Sequence, residues 1–165
     1  MGILSSLRTQ LEITREVSQS SYELDKARLY LKGITNKVKA ADKKVNDKKK
    51  EKEKVARVFE GINSKWQYQN QIPQATTPGG QSTTQPQGQI SQQDFQTALE
   101  NRNKILEEIE KLEAEAEQTA ESLREEEMQA EENVTYASAR YTVAKEMLEP
   151  QKQQTKELIG LLLKA

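Results

Sequence analysis

A long stretch without glycine or proline, Asp94–Leu148, places the strongest constraint on how this chain can fold. Apolar or small residues recur there at alternating spacings of three and four, which is the spacing of a coiled-coil seam. This predicted seam consists of Ile105, Ile109, Leu112, Ala116, Thr119, Leu123, Ala130, Val134, Ala137, Tyr141, Ala144 and Leu148, interrupted by Glu126. The other positions are mostly Glu, Gln, Arg and Lys, which favour helix. Because so narrow a stripe cannot bury itself, the pattern predicts a long helix that needs a partner.

A similar pattern in residues 1–62 predicts a first long helix. Its seam is expected to begin with Leu4, Leu7, Leu11 and Thr14 and to become regular from Leu31, through Ile34, Val38, Ala41, Val45, Val55, Phe59 and Ile62. Lys48 and Lys52 occupy the two seam positions between Val45 and Val55.

The residues between the two patterns, 63–90, are dominated by Gln, Thr, Pro and Gly. Pro73, Pro78 and Pro86 all lie there, and no charged residue occurs between Lys65 and Asp94. Such a segment buries too little apolar surface to offset the entropy lost on ordering, so we predict a flexible loop.

The bounds of the second helix follow from local signals. Ser91, followed by Asp94 three residues later, is typical of a helix N-cap. Pro150 is expected to stop or kink the helix, because it lacks a backbone N–H and clashes with the preceding turn. We therefore predict a second long helix over 91–149 and a short apolar helix over 150–165.

The charges of the two arms are complementary. Lys32–Arg57 contains eleven Lys or Arg and four Asp or Glu, a net charge of +7. Glu100–Glu132 contains four Lys or Arg and thirteen Asp or Glu, a net charge of −9. Charges that flank a seam select the partner and its orientation. The sequence thus predicts an all-α fold, a long antiparallel two-helix coiled-coil hairpin with its loop at the tip.

The composition argues against a catalytic domain. Apolar residues make up 34% of the chain and charged residues 31%, and the mean hydropathy is −0.91. Cys and His are both absent, which removes thiol chemistry and the commonest general base and metal ligand. No phosphate-binding loop or metal-ligand spacing is present. We expect no enzyme activity, no catalytic or metal-binding residue and no cofactor, and the net charge of −1 gives no argument for nucleic acid.

The sequence contains neither the apolar core of a secretory signal peptide nor a run of the roughly 20 apolar residues that cross a bilayer. We therefore expect a protein that is cytoplasmic, or exported without a cleavable signal, and that has no transmembrane segment.

Two clusters are candidate interaction sites. The antiparallel hairpin brings two apolar groups together at its open end, namely Ile3, Leu4, Leu7 and Leu11 with Leu158, Ile159, Leu161, Leu162 and Leu163. Four aromatic residues, Phe59, Trp66, Tyr68 and Phe95, are expected near the tip, where they either pack on one another or form a hot spot for a partner.

The first residues also resemble a known group of proteins. Met1-Gly2, Ser5-Ser6, Leu11, Thr14 and Ser18 are similar to the start of small, uncharacterised bacterial coiled-coil proteins. The resemblance covers about the first 20 residues and implies a bacterial origin, but it implies no activity and no site.

These observations favour a structural or interaction protein, a scaffold or assembly subunit that forms a homo-oligomer or hetero-complex through helix packing. One alternative is an accessory stalk or secreted component of a bacterial export machine, which such hairpins resemble in architecture. Another is a peripheral membrane protein anchored by its termini, with Lys152, Lys156 and Lys164 flanking the C-terminal leucines at a membrane surface.

Overall fold

The computed structural model describes residues 2–71 and 89–164, and 97% of these are helical. Helix α1 spans Ile3–Gln71 and helix α2 spans Gln92–Lys164, and no strand occurs in either range. The two helices pack against each other. The predicted all-α helical hairpin is therefore confirmed, whereas supercoiling of the two helices stays a prediction.

The contacts divide the chain into two units. The first unit comprises Met1–Ala40 and Ala120–Ala165, and the second comprises Ala41–Thr119. In each unit a segment of α1 lies along a segment of α2. Contacts between the helices join Ser6 to Thr155, and Glu16 and Glu23 to Arg140, in the first unit; they join Lys52 to Glu113, Phe59 to Phe95 and Gln69 to Ile90 in the second. In both units the residue numbers rise along α1 and fall along α2, as expected for a hairpin.

On both helices the residues of the seam, which are buried or half-buried, follow one another at spacings of three and four. The buried apolar residues are Leu24, Ile34, Val38, Ala41, Val45 and Phe59 on α1 and Ile109, Ala120, Ala130, Ala137 and Ala144 on α2. The predicted seam of α1 from Leu31 to Ile62 is buried or half-buried throughout, as is that of α2 from Leu123 to Leu148 apart from Glu126. Since the buried residues of α2 are mostly alanine, the helices approach closely but bury little apolar area for each residue.

The predicted seam of α2 is wrong by one residue between 105 and 119. Ile105 and Leu112 are 46% and 39% exposed, and Thr119 is exposed as well. Their C-terminal neighbours Leu106, Glu113 and Ala120 lie in the seam instead, and half-buried Glu127 similarly replaces the predicted interruption at Glu126. The predicted and observed seams share Ile109, Ala116 and Leu123 and differ by one residue at the positions between them. Both therefore lie on the same side of the helix.

The predicted start of the α1 seam is also wrong. Leu4 is 84% exposed, and Leu7, Leu11 and Thr14 are exposed too. The side chains that face α2 here are Ile3, Ser6, Gln10, Ile13 and Val17, of which Ser6 is fully buried. A polar side chain occupies the seam because a hydroxyl of the other helix satisfies it.

Both helices extend further toward the C-terminus than the sequence predicted. Helix α1 continues beyond residue 62 to Gln71, so 63–71 are helix rather than loop, while 72–88 lie outside the described residues. Helix α2 runs without a break through Pro150 to Lys164, so the separate helix predicted over 150–165 is wrong. The seam continues on both sides of Pro150 with Leu148 and Gln151, and this packing offsets the roughly 3 kcal/mol that an interior proline costs.

The predicted start of α2 is confirmed. The Asp94 backbone N–H donates to the Ser91 hydroxyl at 3.1 Å, and the Phe95 N–H donates to the Ser91 carbonyl at 2.9 Å. Ser91 is thus the N-cap residue. At the start of α1, the Ser6 backbone N–H donates to the Gly2 carbonyl at 3.0 Å, and the helix begins at Ile3.

Candidate interaction surfaces

The described residues contain no cluster of three or more acidic side chains that would hold a metal ion. Neither helix carries an apolar segment long enough to cross a membrane within the ranges that the structure covers.

Most of the large apolar side chains left exposed belong to the first unit. The described residues include eighteen such side chains, of which fourteen are in this unit: Leu4, Leu7, Leu11, Tyr22, Leu29, Tyr30, Met128, Tyr136, Val143, Met147, Ile159, Leu161, Leu162 and Leu163. In the second unit, the residues outside 72–88 include only Val58, Tyr68, Ile105 and Leu112. Scattered exposed apolar residues are ordinary, but their concentration in one unit indicates an interaction surface.

The residues of the predicted apolar end fall into two groups, one packed between the helices and one exposed. Ile3 and Leu158 are half-buried in the seam between the helices. The other predicted members are exposed: Leu4, Leu7 and Leu11 on α1, and Ile159, Leu161, Leu162 and Leu163 on α2. Leu4, Leu7 and Leu11 follow one another at spacings of three and four, so they form a single stripe along α1. We call this stripe the leucine stripe.

A buried polar cluster joins the helices beside the leucine stripe. The Thr155 hydroxyl donates to the Gln151 carbonyl at 2.9 Å, which leaves the Ser6 hydroxyl to donate to Thr155 Oγ1 at 2.7 Å. The Gln151 side-chain amide then donates to the Ser6 carbonyl at 3.1 Å and to Ser6 Oγ at 3.0 Å. Every one of these buried hydroxyls is therefore hydrogen-bonded, and the cluster holds the start of α1 against the end of α2.

Arg140 bridges the helices farther along the first unit. Its Nε and Nη2 donate to the two carboxylate oxygens of Glu16 at 2.5 and 3.1 Å, and its Nη1 donates to Glu23. The hydrogen bond from Arg140 holds the pKa of Glu16 below its usual value and raises the pKa of Arg140 itself. Such a fork-to-fork pair fixes orientation as well as charge.

Arg140→Gln is expected to lower stability at neutral pH, and the loss should disappear in acid. Because folding lowers the pKa of Glu16, its bond to Arg140 stabilises the folded state at pH values above the pKa of Glu16 in the unfolded chain, near 4.5. This stabilisation is lost as the pH falls through the lower pKa of Glu16 in the folded state. Thermal unfolding of both proteins from neutral pH to about pH 3 tests this. Arg15→Gln, at an exposed position of α1, is the control. A constant difference between wild type and Arg140→Gln over this range would contradict the assignment to Glu16.

Three of the four predicted tip aromatics pack on one another in the second unit. The Trp66 and Phe95 rings are stacked, with centroids 4.8 Å apart, and the centroids of Phe59 and Phe95 are 6.0 Å apart. The Arg102 guanidinium lies 4.2 Å from the Phe59 centroid and covers its ring. Tyr68 is exposed and takes no part. Because these rings already contact one another, the cluster is first of all an internal contact between α1 and α2.

Gln69, near the end of α1, is hydrogen-bonded to the backbone of Ile90, just before α2. Its side-chain amide donates to the Ile90 carbonyl and accepts from the Ile90 N–H, both at 2.8 Å. Gln69, in the part of α1 beyond the predicted bound, thus supplies both hydrogen bonds to a residue just before α2.

Comparisons of the chain with protein-family models, with curated proteins and with solved structures each gave no match. The resemblance of the first residues to bacterial coiled-coil proteins therefore stays a prediction.

Sequence reasoning missed two groups that join the helices of the first unit, the Ser6–Gln151–Thr155 cluster and the Arg140 bridge. A signal for the bridge was present, since Arg140 is the only charged residue between Asn133 and Ala144. A lone charge in an otherwise uncharged helical stretch indicates a partner on the neighbouring helix. For Ser6 no comparable signal exists, because nothing local distinguishes it from Ser5.

Proposed function

We propose that this protein is a non-enzymatic interaction subunit, a helical hairpin that assembles with a protein surface through the apolar side of its first unit. The observation that carries this proposal is the leucine stripe: three leucines spaced as on one face of a helix, all exposed to solvent. Full burial of one leucine side chain contributes about 1.5–3 kcal/mol, so covering this stripe supplies a substantial driving force.

The two helices support this assignment in different ways. At the start of α1 the seam contains the polar side chain of Ser6, and the larger leucines of the leucine stripe next to it are left exposed. The exposed residues at the end of α2, Ile159 and Leu161–Leu163, extend the apolar surface within the same unit.

Replacing Leu4, Leu7 and Leu11 together by serine is expected to weaken assembly at least tenfold while the hairpin remains folded. Assembly is measured by sedimentation equilibrium of the purified protein and by co-purification of partners from a bacterial lysate. The matched control replaces Arg8, Glu12 and Arg15 of the same helix by serine and should assemble as the wild type does. Equal assembly of the leucine variant and the wild type, with equal helicity by circular dichroism, would refute the proposal.

A further inference from the structure

The outer side of α2 in the first unit is unusually poor in charge. Between Asn133 and Ala144 the only charged side chain is Arg140, and it is turned to Glu16 and Glu23 of α1. Thr135, Tyr136 and Ala139 of this stretch line a shallow depression with Met128, Glu131 and Glu132. A second depression is lined by uncharged residues only, namely Val134, Thr135, Ser138, Ala139, Thr142 and Val143. Both helices of the first unit thus present surface suited to close contact with another protein.

The charges of the two helices indicate what covers this surface. In the first unit, residues 3–40 of α1 carry seven Lys or Arg and four Asp or Glu, a net charge of +3, whereas residues 120–164 of α2 carry six and nine, a net charge of −3. A second copy of the chain supplies the complement of both helices at once. When each α1 lies beside the other copy's α2, every neighbouring pair of helices is opposite in charge, whereas α1 beside α1 sets two basic helices together.

The exposed area leaves room for such a contact. The chain exposes 12996 Å², while a monomeric protein of 18.8 kDa exposes about 8,300 Å² by the usual scaling with mass. The difference exceeds the roughly 800 Å² that each partner buries in a standard specific interface, so covering part of it suffices for a stable contact.

We propose that the partner at the leucine stripe is a second copy of this chain, in a two-fold symmetric, four-helix arrangement that places α1 of each copy beside α2 of the other. This inference rests on the proposed function and adds to it the identity of the partner and the order of the helices. A two-fold interface uses the same surface on both copies, so the leucine stripe of each copy contacts the other copy near the end of its α2. With the offset of the Ser6–Thr155 pair, Leu7 lies near Lys156 of the second copy.

Sedimentation equilibrium combined with disulfide trapping tests this proposal, because the native chain contains no cysteine. The wild type is expected to be a dimer, and the triple serine variant of the leucine stripe should have a dissociation constant at least tenfold higher. Oxidising a mixture of full-length Leu7→Cys and Lys156→Cys chains should give the mixed disulfide dimer, whereas Leu7→Cys mixed with Glu126→Cys should give none.

The possible failures are distinguishable. A wild type that is monomeric at about 100 µM, well above the Kd range of specific dimers, overturns the second copy as partner. If that monomer still binds another protein through the leucine stripe, the proposed function stands. A dimer that gives equal disulfide yields with Lys156→Cys and Glu126→Cys overturns the helix order. A dimer unchanged by the serine variant overturns both proposals.

Discussion

Ile109→Asp is expected to lower the free energy of unfolding by about 3–4 kcal/mol, whereas Leu112→Asp, three residues later on the same helix, should lower it by less than about 1 kcal/mol. Ile109 is 8% exposed and packs in the seam, so an aspartate there loses apolar contacts and buries a carboxylate without a partner. Leu112 is 39% exposed, and an aspartate at that position remains in contact with water.

Urea unfolding followed by circular dichroism measures both values. The pair is internally matched, because both changes introduce the same side chain into the same helix at a distance of one turn. Equal losses would mean that the seam passes through Ile105 and Leu112, and a larger loss at Leu112 would contradict the packing of α2 in the second unit altogether.

Lys52→Leu alone is expected to lower the free energy of unfolding by about 2 kcal/mol, while Lys52→Leu combined with Glu113→Leu should raise it by about 1–2 kcal/mol. Lys52 Nζ lies 3.1 Å from Glu113 Oε2, and the Glu113 side chain is only 13% exposed. That carboxylate oxygen is buried and has no aligned hydrogen bond, so the ion pair is held by charge alone. Removing the lysine leaves a nearly buried carboxylate without its cation.

The double variant replaces the same pair with apolar side chains that match the rest of the seam. The expected gain in the free energy of unfolding is at the low end of the range for replaced buried ion pairs. The reason is that the Lys52 side chain is 35% exposed, so part of its charge stays hydrated. Urea midpoints of the wild type, both single variants and the double variant form a cycle that isolates the coupling between the two residues. A single Lys52→Leu variant as stable as the wild type would show that the pair contributes nothing to holding the helices together.

The sequence was sufficient to predict two helices, their pairing as a hairpin and the cap at Ser91, because each depends on spacing or on local chemistry. It was not sufficient to choose the phase of the seam where two phases overlap. Around Ile109 the more apolar choice is Ile105 and Leu112, yet in the structure Leu106 and Glu113 are half-buried in the seam while Ile105 and Leu112 are exposed. Glu113 is accommodated because Lys52 of the other helix lies beside it, and that contact is not local in the sequence.

The same reason explains the error at the start of α1. The leucine stripe is the more apolar choice, and the structure instead places Ser6 in the seam, where Thr155 satisfies it. In both places a polar residue is buried because its partner comes from the other helix, and the larger apolar residues are displaced to the surface. The leucines displaced at the start of α1 form the leucine stripe. The proposed function therefore depends on residues that the sequence analysis had assigned to the seam.

The hydrogen-bonded trio of Ser6, Gln151 and Thr155 also limits slippage. A repeating pattern of similar apolar side chains allows one helix to slide along the other by seven residues with little change in contact. Sliding in one direction sets the Ser6 hydroxyl against Leu148, and sliding in the other sets Thr155 against Ile13. Either move leaves a polar group in an apolar setting, which costs about 1–3 kcal/mol for each group. These three side chains therefore favour a single alignment of the two helices in the first unit, where the buried apolar residues of α2 are all alanine.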